Sequence, residues 1–474
     1  MQRDSDIPLC VDLDGTLIKS DTLFESALKL LKTNPLHVFQ MLLWFRRGKA
    51  VLKKEIASRV TLDPLMFPYN EEIIEFVRDE KTSRETVLIT GSDQSAADFV
   101  AQDTQMFDRA LGSDGETNLT AENKRDWLVK EFGAGGFDYI GNDADDIAVW
   151  ADSRKAMLAA DKSIPSKFSG IHFHRVFDVP KAGVKDFFKL IRMHQWSKNF
   201  LVFIPFLLDK TVQSWSNLVV IILCFLAMSV LASMTYIVND MIDLTADRNN
   251  ESKKTRMLAS CRVPLKIGAT VAFALLVIFC ILSFMLPIEF FGIMMFYLVT
   301  TLAYTFYLKA KMVLDVCTIA VLHTVRIVAG VVAVNAIWSF WLLAFSMFVF
   351  FSISVAKRVS ELKNMPESID KPANSRGYMT SDISMLSSIG VSTGYISVLV
   401  VALFIQSDKV AVNYSEPMML WLLCPLLMYW VGRLWLIAAR GFLDEDPIVF
   451  AAKDRVSIAV VIALALVVAA ASLL

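Results

Sequence analysis

The stretch Tyr236-Ile237-Val238-Asn239-Asp240-Met241-Ile242-Asp243-Leu244-Thr245-Ala246-Asp247 closes a long apolar run and sets four oxygen-bearing side chains at its end. Asn239, Asp243 and Asp247 recur at every fourth residue and Asp240 lies three before Asp243, so a continuous helix gathers all four on one face. Carboxylates that close repel one another unless cations neutralise them. Hard oxygen donors with open positions suit Mg2+ bridging to a diphosphate. Arg248, Lys253, Lys254 and Arg256 follow directly, where phosphate oxygens would need charge-assisted partners. A merely solvated helix end is the plain alternative, but solvation does not call for four oxygen ligands on one face.

Outward from this stretch, the 474-residue chain is 55% hydrophobic with a net charge of −1, and its mean hydropathy is +0.49. The whole-chain charge conceals two different halves. Residues 1–189 hold 25 Lys+Arg and 31 Asp+Glu, whereas residues 190–474 hold only 22 and 17. The first part reads as a soluble domain and the second as a polytopic membrane domain. Near-neutral charge without a basic tract argues against nucleic acid as a partner. The six scattered cysteines form neither a disulfide framework nor a metal spacing, and His172, His174, His194 and His323 show no ligand spacing either. Met1–Asp6 is polar and no signal peptide is apparent, so the soluble domain is expected in the cytosol.

Nine apolar runs are long enough to span a bilayer: about 195–213, 217–238, 264–286, 288–308, 313–334, 338–356, 384–405, 417–438 and 456–474. Loops 248–262, 309–311, 357–376 and 440–455 carry fifteen Lys/Arg, while the alternate loops carry only Lys210 and Lys409. The positive-inside rule then places the N-terminus inside and, with nine spans, the C-terminus outside. The expected location is a bacterial inner membrane. Further charges crowd the inner ends of spans: Lys198 in the first, Tyr304 and Lys309 at the fourth, Asp315 and Arg326 in the fifth, and Lys357, Arg358 and Glu361 at the sixth. Asp315 and Arg326 are eleven apart, about three turns, and share a face. An Arg so deep in an apolar helix faces a polar cavity or a partner, and a simple ion pair with Asp315 is the plain alternative.

In the soluble part, Asp12-Leu13-Asp14-Gly15-Thr16 follows a strand-like Leu9–Val11. Then come Val87-Leu88-Ile89-Thr90-Gly91-Ser92, Lys124, and Tyr139-Ile140-Gly141-Asn142-Asp143-Ala144-Asp145-Asp146. That ordered set resembles the haloacid dehalogenase (HAD) phosphohydrolases over residues 1–165. The resemblance implies a Rossmannoid α/β sheet with a small helical cap at about 20–80. It also implies Asp12 as nucleophile, Asp14 as general acid then base, and Thr90 and Lys124 on the phosphoryl oxygens. Asp12, Asp14, Asp143 and Asp146 would lie around Mg2+. Asn142 stands where the family commonly has Asp. Within the cap, the apolar stretch 35–45 precedes Arg46, Arg47 and Lys49. It is too short to span, and two readings stay open, an interfacial membrane segment and the buried face of the cap.

After a linker at 166–189, residues 190–474 resemble the UbiA superfamily of intramembrane prenyl-type transferases, most of all the branch of decaprenyl-phosphate phosphoribosyltransferase. The resemblance rests on Arg192-x-x-Gln195-Trp196-x-Lys198-Asn199, the Asn239–Asp247 motif, Tyr304-x4-Lys309-x5-Asp315, Lys357-Arg358-x-x-Glu361-Leu362, and Asp446-Pro447 to Asp454-Arg455. It implies an all-α bundle of about nine transmembrane helices. Asn239, Asp240, Asp243, Asp247 and Asp315 would hold Mg2+, with Asp240 and Asp243 catalytic. Lys198, Lys253, Lys254, Arg256, Tyr304, Lys309, Arg326, Lys357, Arg358 and Glu361 would bind substrate. The implied substrates are a polyprenyl phosphate and phosphoribosyl pyrophosphate, with the HAD-like part removing a phosphate from the product. An aromatic prenyltransferase, or a lipid-carrier transporter or binder with a regulatory HAD module, are the alternatives. Assembly as a homo-oligomer is compatible with each.

The loop charges make one direct prediction. In a background lacking the native cysteines, a cysteine at Ser407 should react with an impermeant thiol reagent applied outside the cell, and one at Ser252 should not. Reversed labelling would overturn the orientation.

Overall fold

A computed structural model describes residues 7–60, 67–114, 118–161, 166–168, 170–364, 377–407, 410, 414–443, 450–451 and 453–473. The expected motif at Asp446-Pro447, Lys409 in its outer loop and Arg376 lie outside the described residues. By internal contacts the chain divides into two compact units, Met1–Ile191 with Tyr236–Phe273, and Arg192–Thr235 with Ala274–Leu474.

In the first unit, six parallel strands form one sheet in the order β3-β2-β1-β4-β5-β6. They are β1 (Leu9–Val11), β2 (Thr86–Asp93), β3 (Arg109–Ser113), β4 (Asp138–Gly141), β5 (Lys155–Ala160) and β6 (Phe173–Asp178). Leu9, Cys10 and Val11 are fully buried, as a strand covered on both faces requires. Leu9, Val11, Leu88 and Ile140 belong to one apolar cluster, and Cys10, Val87, Ile89 and Tyr139 to the other. β1 pairs with β2 on one side and β4 on the other. The strand order reverses there, and a crevice opens beyond the carboxyl ends of the strands.

The helices of this unit are α1 (Thr22–Thr33), α2 (His37–Arg47), α3 (Lys49–Ala57), α4 (Glu71–Lys81), α5 (Gln94–Thr104), α6 (Ala121–Phe132), α7 (Ile147–Asp152) and α8 (Val184–Leu190). The first three form the cap, with a small core of Leu30, Trp44, Ile56 and Val60. Asp21 starts α1 as its N-cap, accepting a hydrogen bond from the Phe24 amide, which satisfies one of the helix's orphan donors. The expected linker at 166–189 needs correction. β6 pairs with β5 from Ala156↔Phe173 to Ala160↔Asp178, so the sheet takes one more strand from that segment and α8 follows it. The sequence there alternates weakly because β6 is an edge strand with two exposed residues, His174 and Arg175.

The remaining helices are α9 (Ile204–Leu208), α10 (Trp215–Ile242), α11 (Leu244–Arg248), α12 (Leu265–Ser283), α13 (Ile288–Phe306), α14 (Leu314–Ala333), α15 (Phe340–Lys363), α16 (Ile383–Ile405), α17 (Leu423–Ala439) and α18 (Arg455–Leu473). Among the described residues, eight helices are long and apolar enough to cross a membrane, namely α10 and α12 to α18. They match eight of the nine expected runs. The run at 195–213 departs from expectation: it is a 3-10 helix over Met193–Phe203 followed by the five-residue α9, with Pro205 in its first turn. Proline lacks the amide that would tie α9 to the preceding turn. Eleven 3-10 residues rise about 22 Å in all, so this stretch is long without being a regular α-helix. In the second unit, Gly330 of α14 lies so close to the Val202 carbonyl of this 3-10 stretch that a Cβ has no room. Small residues permit such backbone approach between apolar helices.

Candidate functional sites

The C-terminal ends of β1, β2 and β4 bring together the expected HAD-like residues. Asp12 follows β1 directly, and its carboxylate accepts a hydrogen bond from the Lys124 ammonium at 2.7 Å. Lys124, on α6, also donates to the Tyr139 hydroxyl at 2.9 Å, which donates to Asp146 at 2.7 Å. Lys124 lies 3.6 Å from Asp146 as well, so two buried carboxylates bracket one cation. The other Asp146 oxygen accepts from the backbone amides of Asn142 and Asp143, at 2.8 and 3.1 Å. Asn142 itself lies against Gly15, whose φ of +75° belongs to the left-handed region and whose Cβ position the Asn142 amide would fill.

Burial pushes the Asp12 carboxyl up to about 7, against the pull of Lys124, and the charge of Asp146 adds to the rise. Burial also lifts Asp14 to about 6, with the charge of Asp21 adding to it. Burial pulls the Lys124 ammonium down, but Asp12 and Asp146 outweigh that and hold it above the usual range.

Asp14 is close enough for its charge to act on Asp12 and Lys124, but its hydrogen bonds run to other partners. Asp14 faces the start of α1, accepting from the Thr22 amide at 2.7 Å, from the Thr22 hydroxyl at 3.3 Å and from Ser92. Asp143 is turned outward, capping the turn at Ala144 and pairing with Lys167 at 2.9 Å. As an N-cap its carboxylate is committed to local backbone, a use that a run of four acidic-or-amide residues did not distinguish from metal binding. Thr90 is fully buried, and its hydroxyl accepts from the Ser92 amide at 3.0 Å. Beside Asp14 lies a cavity of about 120 Å3, lined from the cap by Thr22, Ser26 and Lys53 and from the sheet by Ser92 and Asp93. Lys53 reaches Gly91 O and the Asn118 side chain, at 2.5 and 2.8 Å; composition gave no sign of its place here.

The acid-rich segment belongs to the same unit. α10 ends at Ile242 and α11 begins at Leu244, yet the bonds Asp243 N→Asn239 O at 2.9 Å and Asp247 N→Asp243 O at 2.8 Å carry helical register across the junction. Asp240 and Asp247 are buried, while Asn239 and Asp243 are half-buried. Arg256, expected to bind phosphate, instead donates to Asp240 at 3.2 Å and to Asp247 at 2.6 Å. Burial lifts the Asp247 carboxyl, and Arg256 opposes it. Lys253 is half-buried and Lys254 exposed on the loop between. Arg248 forms a two-pronged pair with Glu25 of α1, at 3.0 and 2.8 Å, and also donates to Ala259 O at 3.2 Å.

In the second unit, Asp315 and Arg326 share a face of α14 but do not pair with each other. Asp315 is fully buried and accepts from Arg358 Nε at 2.7 Å and from the Tyr378 hydroxyl. Arg358 continues to Glu361 at 2.6 Å and to the Tyr304 hydroxyl at 3.5 Å. Its two neighbours on α15, Lys357 and Glu361, are 3.9 Å apart. Arg326 donates to the Asn199 side chain at 2.9 Å and the Tyr297 hydroxyl at 3.3 Å. Lys198, next to Asn199, and Lys309, in the turn after α13, are half-buried. Tyr297 was missed in the sequence because a tyrosine in the middle of an apolar helix reads as lipid-facing, unlike Tyr304 at the end of the same helix.

Among the described residues no three His, Cys, Asp or Glu side chains form a metal-ligand group. The pairs Asp12/Asp146 and Asp240/Asp247 nevertheless each converge on one cation, and buried oxygen donors of this kind suit a hard divalent ion.

The Glu25–Arg248 pair yields a stability prediction. Its side chains are only 9 and 10% exposed, so Glu25→Ala leaves a guanidinium nearly out of water. The expected cost is about 3 kcal/mol, read as a lowered unfolding temperature of the purified chain and faster proteolysis in the 249–263 loop. Arg248→Ala in the same background should recover part of the loss.

The UbiA prenyltransferase family pattern matches residues 202–453. An uncharacterized protein, y4nM of Sinorhizobium fredii, is 34% identical over 459 residues, 96% of this chain and 89% of the relative. Decaprenyl-phosphate phosphoribosyltransferase of Mycobacterium tuberculosis is 33% identical over 178 residues, 37% of this chain and 59% of that enzyme. A solved UbiA homolog from Archaeoglobus fulgidus bound to DMAPP and Mg2+ superposes with a TM-score of 0.46 at 16% identity, covering 60% of this chain and 96% of that one. With the family pattern spanning more than half of its length, the chain belongs to the UbiA prenyltransferase family.

Proposed function

We propose that the membrane half transfers 5-phosphoribose from phosphoribosyl pyrophosphate to a polyprenyl phosphate, and that the N-terminal half removes the 5-phosphate to give polyprenyl phosphoribose. The observation that carries this reading is the 33% identity to decaprenyl-phosphate phosphoribosyltransferase in a chain that also holds a second buried aspartate site. In the transfer, the bond from C1 of ribose to pyrophosphate breaks as the sugar becomes oxocarbenium-like. A lipid phosphate oxygen then forms the new bond to C1. Asp240, Asp247, Asn239 and Asp243 would hold Mg2+, which neutralises departing pyrophosphate when bound. Arg256, now spanning Asp240 and Asp247, is placed to exchange those carboxylates for phosphate oxygens. Arg358, Glu361, Tyr304, Lys309, Lys357, Arg326, Lys198, Lys253 and Lys254 are assigned to substrate on the same basis, and Asp315 to the metal.

In the phosphatase step, Asp12 attacks phosphorus while Asp14 gives its proton to the leaving ribose oxygen. Water then attacks the aspartyl phosphate with Asp14 as base. A carboxyl lifted to about 6 can hold and release that proton near neutral pH. Thr90 and Lys124 would steady the phosphoryl oxygens, and Asp12 with Asp146 would hold the metal. Joining both sites in one chain exposes the second to a high local concentration of the first site's product. The fifteen-to-two loop charge count supports both sites facing the cytosol of a bacterial inner membrane.

Asp240→Ala or Asp243→Ala should abolish lipid labelling from phosphoribosyl pyrophosphate in a variant that still purifies as one species. Wild-type rates at saturating Mg2+ would sink the assignment.

Asp12→Asn keeps nearly the same volume but removes the attacking charge. The purified variant should accumulate the 5-phosphorylated ribosyl lipid, one phosphate heavier by mass spectrometry than the wild-type product. The same phosphorylated lipid from both proteins would show that the N-terminal site acts on something else.

A further inference from the structure

One short helix of the cap is built unlike the rest of its domain. α2 packs on the cap core through Met41 and Trp44, of which Trp44 is buried. At 3.6 residues per turn, the opposite face carries Val38, Leu42, Phe39, Leu43 and Leu36 on one continuous arc of about 160°. These side chains are exposed, Leu36 by 65%, Phe39 by 64%, Leu42 by 58% and Leu43 by 57%. Arg46 lies at the C-terminal end of the same face, and Arg46, Arg47 and Lys49 are all exposed.

Charge separates this region from its domain. Residues 26–54 hold seven Lys/Arg and no Asp or Glu, whereas residues 1–189 as a whole carry a net −6. A water-facing helix has no use for five large apolar side chains on one arc, and an acidic domain gains nothing from a stretch of 29 residues in its cap that carries only basic charges. Both features fit one surface, an anionic bilayer, which takes the apolar side chains at the acyl boundary and the cations among its headgroups. The chain's eight apolar helices provide such a bilayer on the same molecule.

We infer that α2 is an interfacial membrane anchor: the arc from Leu36 to Leu43 inserts at the headgroup boundary, Arg46 and Arg47 snorkel to lipid phosphates, and Trp44 stays inside the cap as the hinge pin that joins anchor to domain. Of the two readings of stretch 35–45 it takes the interfacial one, and it does not depend on the reactions proposed above. It has a consequence for them, because α1 and α3, which line the cavity beside Asp14, share the core of α2. The cap is thereby held at the level where a lipid's headgroup is found.

The test uses the full chain in nanodiscs of phosphatidylcholine with phosphatidylglycerol. Single cysteines at Leu43 or Phe39, in a background lacking the native cysteines, carry the fluorophore NBD, and a label at Lys130, an exposed residue of α6, serves as control. The anchor requires blue-shifted emission and several-fold stronger quenching by headgroup-proximal doxyl lipids at both cap positions than at Lys130, weakening when phosphatidylglycerol is omitted. Water-like emission without doxyl quenching at both positions overturns it. Cysteine cross-linking between copies through Phe39 without lipid quenching also overturns it, and identifies a second copy as the occupant.

Discussion

A carboxylate taken out of water costs several kcal/mol unless a cation stands within hydrogen-bond reach, and the functional clusters of this chain are arranged around that requirement. Asp12 and Asp146 share Lys124. Asp240 and Asp247 share Arg256. Asp315 is met by Arg358 and by a tyrosine hydroxyl. Two carboxylates on one cation leave negative charge in excess, and the charge of Asp146 adds to the rise that burial produces in Asp12 against the pull of its lysine. An excess of that kind is tolerable only where another positive charge arrives with the ligand. The same sharing is absent from the structural pairs: Asp138, in the sheet, meets two guanidiniums, Arg84 and Arg154, and its carboxyl is held below the usual range. The balance of cations to carboxylates thus sets the Asp12/Asp146 and Asp240/Asp247 clusters apart from Asp138.

Much of this was legible because the relevant signals are local. Apolar runs of spanning length declared eight helices, most within a few residues of their ends, although α15 runs seven residues past its expected end to Lys363. The acidic residues at the ends of β1 and β4 announced a strand-end site because their spacing and order are set by the chain's own turns. What stayed hidden depends on partners distant in sequence. Nothing near Arg256 says that it bridges Asp240 and Asp247 rather than awaiting phosphate, since basic residues after an acidic helix end look alike in either use. Asp143 reads as a ligand until its capping bond and Lys167 are seen. Asp315 and Arg326 sit on one face, but each is satisfied by side chains from other segments, Arg358 and Asn199 among them. The stretch at 195–213 misled for a different reason: hydrophobicity reports burial or lipid, not whether the backbone winds as α or 3-10, and Pro205 was the one residue that spoke to winding.

The first unit holds two aspartate sites, and α1 touches both. Thr22, its first residue, binds Asp14 through backbone and side chain. Glu25, about one turn later, is locked to Arg248, the residue after Asp247. A helix of twelve residues moves as a rigid piece, so α1 cannot leave Asp14 without straining the Glu25–Arg248 pair. That pair is expensive to break because neither charge has water to return to. α1 is therefore tied to a residue of the acid-rich segment, and the hydrogen bonds on Asp14 depend on where Arg248 stands. Two aspartate clusters that their motifs present as separate share one mechanical support, and it runs through a glutamate that neither motif contains.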